Sequence, residues 1–299
     1  MLKMTLLVGF MQKERSTCHP ESEHLQRLLP KAFYSNDNSW DYYPEPLLNC
    51  TSQYNDSCFL RFAVNDFLKV IVIVPSASIC PEDMNEFCPQ IAHELQMSST
   101  VSFLGLGEGP QYFVETFETV FLQSPLFPDY EEVLESAYQN GYTVYVAGHS
   151  LGGAIATYIA TYLVHSGMVP ESNVNLMTFA APYAADESLA SAITSLLPAA
   201  YRVTYEADPV PAINPTSSYQ QWGTEEWYLN GTSQSPIECK YPNYSSCIEG
   251  YGGPFNATDH VVYFAEPETI KPFVASGCTY PNEEEEQYVV YDGVIIAAY

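Results

Sequence analysis

The chain predicts an α/β fold with a mostly parallel central sheet and helices on both faces, and three observations carry that expectation. The first is Leu68 to Val74 (LKVIVIV), a continuous β-branched run of the kind buried on both faces of a sheet. The second is Tyr142 to Gly153 (YTVYVAGHSLGG), where an apolar strand pattern runs through a tight turn into a small-residue helix over Leu151 to Gly167. The third is the alternation that follows: a strand at Val174 to Ala180, a helix near Asp186 to Leu196, and a strand at Ala200 to Tyr205.

Taken in order, the chain opens with Lys3 and a short apolar run, Met4 to Met11, a weak or truncated signal-like segment assigned to residues 1–17. Residues 18–299 read as one domain, because no Gly/Ser-rich or Pro-rich linker divides them and 46% apolar content over 299 residues suffices for a large core. Phe59 to Val64 gives a strand ahead of Leu68 to Val74, which Pro75 to Ser78 end. Residues 102 to 113 (SFLGLGEGPQYF) cluster glycines, but Glu108 and the lack of a nearby lysine argue for a turn and against a phosphate cradle. Helical patterns cover Gln111 to Gln123 and Asp129 to Asn140, the latter stopped by Gly141. Asp186 sits where a helix N-cap is expected. Glu283 to Glu286 is a solvated acidic run, and Tyr288 to Tyr299 an added strand, too short to span a bilayer.

Charge excludes one class of partner. With 36 acidic against 10 basic residues the formal charge is −26, which repels phosphate backbones, so nucleic acid is not an expected ligand. No apolar run reaches transmembrane length. Eight cysteines and five N-x-[ST] sequons, at Asn49, Asn55, Asn230, Asn243 and Asn256, point to an oxidising secretory route and a secreted glycoprotein. No C-x-x-C pair argues for zinc, and neither a metal nor a cofactor is expected. Cys50/Cys58, Cys80/Cys88 and Cys239/Cys247 each lie eight apart, leaving Cys18 and Cys278 to staple the ends. A single helix through Cys80 and Cys88 would hold them about 12 Å apart, too far to bridge. A bridged loop followed by a short helix from Pro89 is the favoured alternative to a continuous amphipathic lid.

The chemistry centres on Gly148-His149-Ser150-Leu151-Gly152, the G-x-S-x-G nucleophile elbow of α/β-hydrolases. In that fold the triad runs Ser, acid, His along the chain. Only His165 and His260 follow Ser150, and His165 lies about 22 Å along the elbow's own helix, which leaves His260. Asp208 follows directly on the strand YRVTYE, at the carboxyl edge of the sheet where α/β sites are built; Asp259 is adjacent to the histidine and poorly placed to face its ring. Ser150 is then the nucleophile, His260 its base, and Asp208 the group that orients the imidazole. The oxyanion hole needs two backbone donors: Leu151, the residue after the nucleophile, and Ala77, in the turn after the strand Leu68 to Val74.

These residues also carry a resemblance. GHSLGG at 148–153, TFAAP at 178–182, RVTYEADPVP at 202–211, GTEEWY at 223–228 and TDH at 258–260 follow one another as in class 3 lipases of the fungal triacylglycerol-lipase type, in their secreted, cysteine-rich animal branch. The resemblance implies an α/β-hydrolase fold, Ser150, Asp208 and His260 as the triad, a lid after the oxyanion strand, and hydrolysis of acylglycerols or related carboxylic esters at a lipid surface. One departure stands out: Pro75-Ser76-Ala77 replaces the family's Arg-Gly-Ser or Arg-Gly-Thr. Two other readings remain, a catalytically weak lipase-like glycoprotein that binds a lipid or a protein, and an esterase for short or plant-wall esters.

Overall fold

The computed structural model describes residues 40–44, 46–54, 56–76, 99–214, 218–231, 234–260, 263, 287–291 and 294–298, the last two stretches for the backbone only. The segment 1–17, the lid stretch, Ala77, Asn55, Cys18, Cys80, Cys88, Cys278 and the run Glu283 to Glu286 lie outside the described residues.

Nine of the described strands form one sheet. β1 (Trp40–Tyr42), β2 (Leu48–Asn49) and β3 (Ser57–Asn65) make its first edge, with β1 and β2 both antiparallel to β3. β3 pairs antiparallel with β4 (Val70–Ser76). From there the sheet is parallel through β7 (Thr143–His149), β8 (Val174–Phe179), β9 (Ala200–Tyr205) and β10 (Thr224–Tyr228). β11 (Ile237–Lys240) closes the far edge antiparallel to β10. A separate hairpin, β5 (Thr100–Phe103) with β6 (Gly107–Pro110), occupies the stretch expected to be a turn; only Leu104 to Leu106 turn. At the C-terminal end β12 (Gln287–Tyr291) and β13 (Val294–Ala298) pair with each other and add no strand to the main sheet.

The central strands are apolar on both faces because both faces are covered. Ile71, Ile73, Val144, Val146 and Leu176 point into the larger core, and Val72, Val74, Tyr145, Ala147, Phe179 and Val203 into a second one that Tyr263 closes. The larger core is covered by α1 (Gln111–Phe117), α2 (Phe127–Gln139), α3 (Leu151–His165) and α4 (Glu187–Leu196). The helix expected over Gln111 to Gln123 continues past α1 as a wide π turn, Glu118–Leu122. Its extra residue turns Val120 and Phe121 inward together; both are fully buried, and Phe121 stacks on Phe117 and Tyr130. Asp186 caps α4 as expected, its Oδ1 accepting the amide of Leu189 at 2.8 Å.

The far edge is organised by charge. Arg202 on β9 and Glu225 on β10 are opposite each other in register and 2% and 0% exposed, joined by a 3.1 Å ion pair. Beyond it lies the Cys239–Cys247 disulfide, which matches the spacing argument. The same argument fails at Cys50 and Cys58. No bridge joins them; Cys58 keeps its thiol, whose Sγ lies 3.7 Å from the Leu48 carbonyl oxygen. Pairing of Leu48 with Cys58 sets Cys50 two positions out of register with it, so a shared hairpin does not put the two sulfurs opposite each other.

On the last strand pair, Glu226 stands directly opposite Glu238. Burial first, and Glu238 second, push its carboxyl above the usual value of 4.5. A carboxyl raised in the folded state binds protons more tightly there than in the unfolded chain, so its penalty is fully present above the folded pKa and gone below 4.5. Glu226→Gln is therefore expected to raise stability at pH 7 by about 0.2–1 kcal/mol, the scale of a like-charge cross-strand pair. The gain should vanish in acid, which urea unfolding at both pH values checks.

Candidate active site

The site stands at the carboxyl ends of β7, β8 and β9, where an open parallel sheet collects its loops. Strand β7 ends at His149, and Ser150 takes φ 55° and ψ −129° before α3 begins at Leu151. A non-glycine residue held at positive φ is strained, and its surroundings must impose the conformation. Ser150 N–H donates to the carbonyl of Phe179 on β8 at 2.8 Å, and its own carbonyl accepts from Gly153 and Ala154, the first bonds of α3. The flanking glycines answer the same geometry: a Cβ on Gly148 would stand 2.1 Å from the carbonyl oxygen of Gly152, and one on Gly152 2.5 Å from that of Pro75. The turn at Ser150 can thus close only because positions 148 and 152 carry no side chain.

Asp208 arrives from the loop after β9 and is completely buried. Its Oδ1 accepts the amide of Val210 at 2.9 Å and its Oδ2 the hydroxyl of Tyr263 at 2.6 Å. His260 ends a short 3-10 turn, Ala257–His260. Its Nδ1 lies 3.1 Å from both oxygens of Asp208 and its Nε2 lies 3.0 Å from Ser150 Oγ. A carboxylate at Nδ1 fixes the tautomer with the proton on that nitrogen and leaves Nε2 to accept one. The arrangement can therefore take a proton from the serine hydroxyl and hold the resulting imidazolium beside a buried carboxylate.

Three residues that sequence reasoning did not assign hold this geometry. His149 Nε2 lies 2.7 Å from the carbonyl oxygen of His260 and donates to it, tying His260 to the end of β7. Asp259 faces away from the imidazole, as expected, and latches the two loops: its Oδ2 accepts the amide of Ala207 at 3.0 Å and its Oδ1 the Asn256 amide group at 2.8 Å. Burial raises the Asp259 carboxyl above its usual value, against the opposing pull of the Ala207 amide. Tyr263 is the third. His149 was visible only as the x of G-x-S-x-G, Asp259 only as the neighbour of His260, and Tyr263 carried no signal at all.

Of the expected oxyanion donors, Leu151 opens α3, where first-turn N–H groups have no partner within the helix. Ala77 lies outside the described residues, one position beyond the end of β4. Among the described residues no group of acidic, histidine or cysteine side chains could hold a metal ion, and no helix is long and apolar enough to cross a membrane.

Comparison with known proteins bears on the same region. Residues 83–218 match the family described as lipase (class 3), a stretch that contains Ser150 and Asp208 and ends before His260. A secreted mono- and diacylglycerol lipase of Fusarium solani is 37% identical over 133 residues, covering 42% of this chain and 39% of that protein. Lipase ZK262.3 of Caenorhabditis elegans is 32% identical over 117 residues, covering 36% and 33%. The matches thus span between a third and two fifths of the length of these curated relatives. Among solved structures, the lipase of Rhizopus microsporus var. chinensis superposes with a TM-score of 0.63 at 18% identity, covering 76% of this chain and 75% of that one. At that identity the likeness is one of fold, and the fold is that of an α/β-hydrolase.

Proposed function

We propose that this chain, whose residues 83–218 match the class 3 lipase family, is a secreted serine hydrolase that cleaves acylglycerols or related carboxylic esters through Ser150, His260 and Asp208. The observation that carries the reading is the continuous line of contacts from Ser150 Oγ to His260 Nε2 at 3.0 Å and from His260 Nδ1 to Asp208 at 3.1 Å, assembled from three segments of a buried site. His260 takes the serine proton as Oγ bonds to the ester carbon. It then returns the proton to the departing alkoxide, and the alcohol leaves. Water repeats the sequence on the acyl-enzyme and frees the acid. Leu151 N–H stabilises the oxyanion from the N-terminus of α3, together with an amide beyond β4 for which Ala77 is the candidate. The acylglycerol preference draws support from the named activity of the Fusarium relative, and secretion from that relative and the Cys239–Cys247 disulfide.

A fluorophosphonate probe tests the reading. Wild-type protein is expected to be labelled and Ser150→Ala not to be. Folded wild type that takes no label would instead support a lipid- or protein-binding glycoprotein, the reading favoured by Pro75-Ser76-Ala77 standing where the family carries Arg-Gly-Ser or Arg-Gly-Thr. Rates on p-nitrophenyl esters of increasing chain length then separate lipase from short-ester esterase.

A further inference from the structure

We infer that Tyr263 is a positioning residue for the Asp208–His260 pair, supplying the hydrogen bond that disperses the Asp208 charge and so sets how readily His260 is protonated. The inference rests on the triad reading above and extends it by one residue.

Tyr263 lies 5% exposed beneath the site, its ring against Phe179, Tyr205 and His149. Packing alone would be served by phenylalanine, so the hydroxyl requires an account. That oxygen accepts the amide of Tyr205 at 3.1 Å and donates to Asp208 Oδ2 at 2.6 Å. Accepting from a backbone N–H on one side leaves the single phenolic proton committed to the carboxylate on the other. The bond is thus directed by strand β9 itself. It is also permanent across the working range: burial first, and the Asp208 charge second, hold the phenol well above its usual value, so it stays a neutral donor at neutral pH.

Asp208 consequently shares its charge among three donors, Val210 N–H, Tyr263 O–H and His260 Nδ1–H. Removal of the hydroxyl concentrates negative charge toward the imidazole, which favours imidazolium and raises the pKa of His260. The other titratable groups around the pair are His149 from β7, Tyr205 from β9, Asp259 beside His260, Glu206 in the β9 loop, and Glu225 on β10, whose charge adds to the rise at Tyr263. All of them are present with and without the hydroxyl, so they cancel when the two proteins are compared.

The experiment is Tyr263→Phe in the full chain, read in two ways. NMR titration of the His260 imidazole should show its pKa raised by about 0.5 unit or more, and the acidic limb of kcat/KM on a soluble ester should move up by the same amount. KM should change less than about twofold. A pKa and a profile both unmoved, with only the melting temperature lowered, would make Tyr263 a packing residue and overturn the inference. Should the variant unfold, 3-fluorotyrosine at position 263, a stronger donor of the same shape, is expected to shift both readouts downward; no shift overturns it equally. The imidazole titration does not depend on turnover, so a protein that shows the pKa shift yet hydrolyses nothing counts against the triad reading and not against this one.

Discussion

Asp208→Asn is expected to lower kcat on a soluble ester by about 10⁴ while leaving the thermal midpoint within a few degrees of wild type. The carboxylate is purely an acceptor, and each of its oxygens already has a donor apart from the histidine: Val210 N–H on Oδ1, Tyr263 O–H on Oδ2. An asparagine keeps one acceptor oxygen and turns two N–H bonds toward whichever partner remains. If those bonds face His260, Nδ1 must accept, the proton moves to Nε2, and Nε2 can no longer take one from Ser150 across its 3.0 Å contact. If they face Tyr263, two donors collide, because the Tyr205 amide already occupies the far side of that hydroxyl. The amide nitrogen meets a donor in either position, Val210 N–H in place of Oδ1 or Tyr263 O–H in place of Oδ2, and in both it also faces Nδ1, so the proton is driven to Nε2 and serine activation is lost. Steady-state kinetics with a fluorophosphonate titration of competent serines measure the effect, and a loss below about tenfold would remove Asp208 from the triad.

The second large effect concerns stability. Glu225→Ala is expected to destabilise the protein by about 3–5 kcal/mol, because it leaves the Arg202 guanidinium buried without its counter-charge. Arg202 Nε also donates to the Trp222 carbonyl at 2.8 Å, and the guanidinium lies 4.6 Å from the Tyr244 ring centre. Glu225 in turn accepts from Thr204 at 2.7 Å and from the Ile248 amide at 3.3 Å, pinning the disulfide-bearing loop to the sheet. Arg202 and Glu225 are both buried, so water has no easy route to the stranded charge. The paired replacement Arg202→Met with Glu225→Met is expected to be less damaging than Glu225→Ala alone, since both desolvated charges then disappear together. Urea unfolding of the two proteins decides it; a double variant weaker than the single one would mean the pair contributes net stability.

Much of the site was legible because chain order and spacing are one-dimensional facts. Ser150 announced itself by the glycines its turn requires, and His260 followed from there being only two later histidines, one too far along α3. Asp208 followed from ending a strand. What escaped the sequence was lateral. Tyr263 reaches Asp208 across 55 positions and Asp259 reaches Ala207 across 52, with no periodicity to mark either. β10 does not read as a strand, because TEEWY looks polar until Glu225 meets Arg202 across the ladder. The direction of pairing was equally hidden: β3 and β4 are successive apolar runs, and only their short connection, Asp66 to Lys69, makes them antiparallel. The cysteines make the same point. A spacing of eight serves for Cys239 and Cys247, where the chain turns back to bring the Cα atoms within 6.2 Å, and fails for Cys50 and Cys58, so the path of the chain between two cysteines and not their spacing decides the bridge.

The clearance between Gly152 and the Pro75 carbonyl has a mechanical corollary. With less room there than a methyl group occupies, the start of α3 and the end of β4 meet backbone against backbone, and any side chain at position 152 would have to push them apart. The turn that carries Ser150 and the last residues of β4 are thereby seated directly on each other.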